Sequence, residues 1–237
     1  MKIAEGIHRI GDGLINVYFL EESGEITIID AGLSGFWAKL PGELAAMGRS
    51  LENVRGLVLT HAHVDHVGFA ERLRRERGVP IRVHELDAMI ARGEATPKNQ
   101  QIGSLSLLPM LRFLFFAMRQ GMLRTVRIDE VATFGDGATL DVPGAPRVIH
   151  TPGHSEGSAV LHVPARSVAF VGDAFATLNV VNGKVGPRIA PFSSDIPRAL
   201  ESLSRLEKID ARLALPGHGE PWTGGLAEAV RQVRATR

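Results

Sequence analysis

The chain has 237 residues, 44% of them hydrophobic and 22% charged, with a formal net charge of +1 at pH 7. These proportions belong to a globular protein, and so small a net charge supplies no general field toward nucleic acid or anionic lipid. Cysteine is absent, which excludes disulfides, iron–sulfur clusters, thiolate metal sites and a cysteine nucleophile and leaves only nitrogen and oxygen ligands for any metal.

The chain opens on MKIAEGIHRIGDGLINVYFL, where charges and glycines interrupt any apolar core of a signal peptide. A cytoplasmic protein that binds neither membrane nor nucleic acid is expected. Short apolar, β-branched runs predict strands at 15–20, 25–30, 56–60, 81–84, 147–151, 158–163, 167–172 and 212–216. Helical spacing predicts helices at 36–47 and 67–77, closed by Gly48 and Gly78, at 195–208 with Asp195 as N-cap, and at 225–234. No linker or low-complexity tract divides the sequence, so one α/β layered domain over 1–237 is expected. The segment at about 93–124 breaks the rhythm with LSLLPMLRFLFFAM. It reads as a helical insertion: a buried hairpin or a contact in a homodimer, or else a cap that walls a substrate site with apolar side chains.

The strongest chemical signal is THAHVDH, which places His61, His63, Asp65 and His66 within six residues. Crowded imidazoles repel once protonated, so a loop has no stability reason to collect them. A metal reverses that logic, because neutral imidazole and carboxylate are good nitrogen and oxygen donors. His61 and His63 alternate along an extended segment and can face one ion, while Asp65 and His66 turn toward a second. His154 and His218 each follow a Pro-Gly turn, and Asp173 follows the apolar run SVAFVG. His154 would complete a set with His61 and His63, His218 would join Asp65 and His66, and Asp173 could bridge both ions. His8, His84, His150 and His162 lie in or beside strand-like runs and read as structural; Tyr18, within an early strand, receives no oxyanion role.

The order H-x-H-x-D-H, then a lone His, Asp and His, resembles the metallo-β-lactamase superfamily. The words IIDAG, LTHAHVDHVGFA, TPGHSEGS, VGDAF and LPGHGEP resemble it too, and the likeness runs from 16 to 222 outside the insertion. The resemblance implies a four-layer αβ/βα sandwich with metals at one sheet edge and Asp30 supporting the metal-binding loops. It implies two divalent ions, Zn2+ foremost, with Mn2+ or Fe2+ also compatible with the donors. A metal-bound hydroxide would be the nucleophile, since metal binding brings the pKa of water to about 7 in favourable sites, and Asp65 would carry a proton to the leaving group. Several branches fit less well. Bacterial zinc β-lactamases carry Cys or Ser where Asp173 stands, flavodiiron proteins carry a carboxylate at His63, and glyoxalase II-type enzymes add a C-terminal glutathione-binding segment. A compact, lactonase-like hydrolase of an ester or lactone with a partly apolar acyl group is expected, with a thioester hydrolase as the alternative. A metal-binding sensor with residual hydrolysis is a third.

Overall fold

The computed structural model describes residues 1–124 and 126–236. The first sheet runs in sequence order through β1 (Lys2–Ala4), β2 (Ile7–Ile10), β3 (Val17–Glu22), β4 (Glu25–Ile29), β5 (Val54–Val58), β6 (Ile81–His84) and β7 (Ala132–Phe134). Its first four strands are antiparallel meanders, whereas β4 to β7 pair in parallel. The parallel pairings demand crossovers, which hold α1 (Leu40–Ala46), α2 (Ala70–Arg77), α3 (Ala88–Ala91) and α4 (Leu107–Arg119). The second sheet is built from β8 (Arg147–His150), β9 (Ala159–Val163), β10 (Val168–Gly172) and β13 (Leu213–Pro216), in the order β13-β10-β9-β8. The hairpin β11 (Ala176–Leu178) and β12 (Val185–Arg188) stands apart, and α5 (Ile196–Ser202) and α6 (Leu226–Ala235) complete the chain.

Period-2 alternation assembles the layers. In β3, Tyr18 and Leu20 point into one apolar cluster with Leu161, Phe170 and Leu215 of the second sheet, while Val17 and Phe19 point the other way, into a cluster with Leu40, Leu44 and Leu73. In β10, Val168 and Phe170 join the inter-sheet cluster, while Ala169 and Val171 pack against Leu203, Leu226 and Val230. Two sheets lie face to face with helices outside each, a four-layer αβ/βα sandwich. Strands buried on both faces read as continuous apolar runs such as AFVG, which is why the sequence exposes them so plainly.

The expected strand positions match within a few residues. β1, β2, β7, β11 and β12 are additional: each is only three or four residues long, and β1, β7 and β12 are half exposed, so they carry little apolar signal. Asp195 caps α5, its carboxylate accepting from the Arg198 N–H at 3.0 Å, but the helix passes into a 3-10 turn at Leu203–Leu206. Segment 93–124 does not form a buried hairpin. Its described residues hold one helix, α4, with Phe113 and Ala117 buried and most other large apolar side chains exposed. No helix among the described residues is long and apolar enough to cross a membrane.

Candidate metal centre

Strand direction brings the chemistry together. β4, β5 and β6 are parallel, so Asp30, His61 and Asp87 all leave the first sheet at the same edge. β10 and β13 are parallel, and β8 runs with them because β9 is antiparallel to both β8 and β10. Asp173, His218 and His154 therefore leave the second sheet together. The two edges are stitched where the Ala159 N–H donates to the Thr60 carbonyl at 2.9 Å. Gly172 lies against the Thr60 side chain so closely that a Cβ there would overlap the hydroxyl, and its φ of +50° also favours glycine.

The seven sequence-designated residues converge. His61, His63 and His154 form one group, His61, His66 and Asp173 a second, and Asp65, His66 and His218 a third, each with donor atoms within 4.8 Å of one another. His154 Nε2 lies 2.9 Å from His63 Nδ1 and 3.4 Å from Asp173 Oδ2. His218 Nε2 lies 3.2 Å from Asp173 Oδ2 and 3.4 Å from Asp65 Oδ2. Asp173 thus stands between the two halves of the cluster. All but the half-buried Asp65 are buried.

Hydrogen bonds behind the rings fix which nitrogen faces inward. His66 Nδ1 donates to Asp30 Oδ2 at 2.9 Å. The Thr60 hydroxyl donates to the same carboxylate, leaving its oxygen to accept from His61 Nδ1 at 3.1 Å. Ser193 donates to the Ala190 carbonyl and accepts from His154 Nδ1 at 3.1 Å. His218 Nδ1 donates to the Leu14 carbonyl. Four Nε2 atoms are thereby turned toward one space. There, His61 Nε2, His66 Nε2 and Asp173 Oδ1 are buried without a hydrogen-bond partner. Polar atoms left unpartnered at this depth are costly, and divalent cations, displacing any proton held there, would satisfy them. The donor set of imidazoles and carboxylates fits such ions.

The local electrostatics also suit cations. Burial, reinforced by neighbouring imidazoles, pushes the pKa of His61 well down, and burial above all brings His154 down to about 3. Burial also lowers His63. These rings are neutral donors at pH 7. Burial disfavours charge on His66 as well, but Asp30, Asp65 and Asp173 outweigh it and raise His66 to about 9. His218 is raised in the same way, burial being overcome by Asp173 and Asp65. Burial would raise both carboxyls, yet His66 and His218 hold Asp65 low, and His218, His154 and His66 hold Asp173 low.

Asp87 is a supporting residue that the sequence reading passed over. Fully buried, it accepts from the Ala62 N–H at 2.9 Å, the Ser155 hydroxyl at 2.7 Å and the Gly157 N–H at 2.8 Å. It ties the His61–His66 loop to the His154 loop. Its signal was available: like Asp30, it follows a strand at this sheet edge. Ser193 and Gln100, whose amide stands 3.3 Å from His63 Nε2, had no comparable signal. His8, His150 and His162 bond to Glu43, the Glu156 carbonyl and the Asp210 carbonyl, away from the cluster. His84 is stacked on His150 at 4.2 Å. Tyr18 donates to the Pro216 carbonyl at 2.8 Å and so steadies the turn before His218.

A cleft of about 520 Å³ opens over the cluster, and His63, Asp65, His154, Asp173 and His218 form its floor. Its walls are largely apolar and include Val67, Ile90, Phe113, Met122, Val126 and Phe192. Phe113 of α4 meets the His218 ring edge-on at 6.3 Å. The insertion is clasped at both ends: the Phe192 N–H donates to the Gln101 carbonyl at 2.8 Å, and the Gly35 N–H to the Gln120 carbonyl at 2.9 Å. Beyond the cleft, a charged groove carries Arg72, Arg75, Arg124 and Arg127 together with Glu71 and Glu76, Arg72 being paired with Glu76 at 2.6 Å, and it shares Arg124 and Val126 with the cleft.

Comparison with known proteins adds three relatives. The sequence pattern of the Metallo-beta-lactamase superfamily matches residues 10–218. The probable metallo-hydrolase YflN of Bacillus subtilis (strain 168) is 26% identical over 235 residues, covering 94% of this chain and 87% of that protein. The acyl-coenzyme A thioesterase MBLAC2 of Homo sapiens is 27% identical over 216 residues, covering 86% of this chain and 72% of that protein. The crystal structure of the metallo-beta-lactamase family protein TTHA1429 from Thermus thermophilus superposes with a TM-score of 0.70 at 26% identity, covering 98% of this chain and 79% of that one.

Proposed function

Because the chain belongs to the metallo-beta-lactamase superfamily, we propose that it is a metal-dependent hydrolase of an ester or lactone with a partly apolar acyl group. The observation that carries this reading is the set of inward-facing, partly orphaned donor atoms beneath an apolar cleft. His61, His63 and His154 would hold one divalent ion, Asp65, His66 and His218 another, and Asp173 would bridge them. Zinc is the first choice, with manganese or iron compatible with the same donors. When bound, such ions supply Lewis acidity and make water nucleophilic near neutral pH.

The chain's own groups do the rest. Asp30, Thr60, Ser193 and the Leu14 carbonyl hold the imidazole tautomers, so the inner nitrogens need no reorganisation. Asp65 faces the cleft beside His218 and is positioned to pass a proton to the departing oxygen. Val67, Ile90, Phe113 and Phe192 exclude water from the reacting bond and accept the acyl chain. Each methylene buried there contributes up to about 0.8 kcal/mol, so kcat/KM should rise several-fold per carbon until the cleft is full. A chain-length series of acyl esters and lactones, assayed with metal-loaded protein, tests this. A flat series, or activity indifferent to a chelator, would overturn it. Elemental analysis of chelator-free protein should give close to two metal equivalents.

A thioester substrate is the second reading. The relation to MBLAC2 supports it, as do Arg75, Arg124 and Arg127 of the groove joined to the cleft at Arg124, which suit an anionic leaving group. A matched pair of acyl ester and acyl-coenzyme A thioester decides between the two.

A further inference from the structure

The site uses only the inner face of α4. On its outer face Leu107, Leu108, Leu111, Leu114, Phe115 and Met118 are exposed, reaching 78% at Leu108. Their spacing, i, i+1, i+4, i+7, i+8 and i+11, traces a single stripe along the helix. Leu105, before the helix, is exposed as well. A contiguous apolar surface of this kind marks a contact site.

The charges around the stripe say what it contacts. Residues 95–128 contain Lys98, Arg112, Arg119, Arg124 and Arg127 and no acidic residue. The segment thus holds five of the chain's 27 Lys and Arg residues and none of its 26 Asp and Glu residues, so the remainder carries more acids than bases. All five side chains are exposed; Arg124 and Arg127 lie in the groove beside α2, while Arg112 and Arg119 stand at the stripe, with Asp12 lining the groove beside them. Arg112 and Arg119 are two turns apart and flank the stripe on one side, with the Arg119 guanidinium 5.6 Å from the Phe115 ring centre. A second copy docking by two-fold symmetry would press this cationic rim against itself. An anionic lipid surface satisfies both features: acyl chains receive the Leu, Phe and Met side chains, and headgroup phosphates receive the arginines. At 13 residues, a length of about 20 Å, α4 is too short to span a bilayer and suits the plane of its interface.

We propose that α4 docks the protein peripherally on an anionic membrane surface, apolar stripe inward. The expectation of no membrane contact rested on net charge over the whole chain, whereas docking depends on where the charge sits. Since Phe113 and Ala117 on the opposite face line the cleft, docking sets the mouth of the site beside the lipid, where amphiphilic acyl substrates concentrate.

The test is co-sedimentation of the full, metal-loaded chain with vesicles of phosphatidylcholine alone and of phosphatidylcholine mixed with phosphatidylserine. Binding to the mixed vesicles should exceed binding to the neutral ones by about tenfold and weaken with salt. The double variant Leu108→Glu/Leu111→Glu should lose about tenfold or more of that binding while keeping the wild-type far-UV spectrum. Arg112→Glu/Arg119→Glu leaves the stripe intact and should abolish the preference for phosphatidylserine, which decides the matter even if the leucine variant fails to fold. Wild-type protein that binds neither vesicle would overturn the proposal. So would a dimer in analytical ultracentrifugation that Leu108→Glu/Leu111→Glu dissociates, which would assign the stripe to self-association.

Discussion

Replacing Asp87 with alanine should loosen the metal centre without touching any of the seven donor residues. The Asp87 carboxylate is fully buried and receives three hydrogen bonds, from the Ala62 N–H, the Ser155 hydroxyl and the Gly157 N–H. Alanine would leave all three donors without their acceptor. A buried donor left unpaired costs about 1–3 kcal/mol, less where water enters the gap or a hydroxyl rotates to a new partner. The Ser155 hydroxyl has such a partner in Ser158 Oγ at 3.4 Å, whereas the two backbone N–H groups do not move independently. A net loss of about 3–4 kcal/mol is therefore expected. Because Asp87 couples the His61–His66 loop to the His154 loop, metal affinity should fall by about 10–100-fold as well. Urea unfolding of metal-stripped protein measures the first quantity, and competition with a chromogenic chelator measures the second. Asp87→Asn retains one acceptor oxygen and should lose less of both. If Asp87→Ala unfolds within about 0.5 kcal/mol of wild type and binds metal equally well, the carboxylate does not hold the two loops together.

Asp30→Asn should keep the backbone, since Asn tolerates the φ of +61° found there, but should lower metal affinity by about 10–100-fold through the lost charge behind His66; equal affinity in isothermal titration would refute this. Gly217→Ala should fold yet lose activity by about 100-fold, because its Cβ would overlap Asp173 Oδ1 and lie 2.6 Å from His66 Cε1; a kinetic assay of the metal-loaded variant decides. Metal uptake near neutral pH should expel a proton, because His66 has its pKa raised from 6.5 to about 9 in the metal-free chain. The sign follows from a raised folded-state value: the stabilising contribution of His66 is fully present below about 6.5 and is lost as pH climbs through about 9. Metal affinity should accordingly increase over that window, and titrations in buffers of different ionisation enthalpy count the protons. Uptake without proton release would contradict the charge assigned to His66.

The layered fold and the cluster were legible because their causes are local. Runs such as ITII, GLVL and VAFVG are largely apolar on both faces, as a strand buried on both sides requires, and each is followed directly by a polar residue where the chain leaves the sheet. THAHVDH concentrates groups that repel one another without a cation, so it announced its chemistry without coordinates. The weak strands at both margins of the first sheet escaped notice because half-exposed, three-residue pairings are decided by their neighbours rather than by their own side chains. Asp87 escaped for a related reason: its three donors come from residues 62, 155 and 157, and no local pattern records a hydrogen bond across such separations. Its place three residues after the end of β6 was the only hint. The insertion divides most clearly between the two levels. Composition made 107–119 a helix and made it apolar, but an apolar residue reads the same whether buried or exposed. Only the packing of Phe113 and Ala117 over the cleft, with Leu108, Leu111 and Phe115 left outside, separates a wall of the site from a surface. That partition depends on which side of the helix meets the rest of the chain, and the anchors that set it, the carbonyls of Gln101 and Gln120 accepting from Phe192 and Gly35, join segments far apart in sequence.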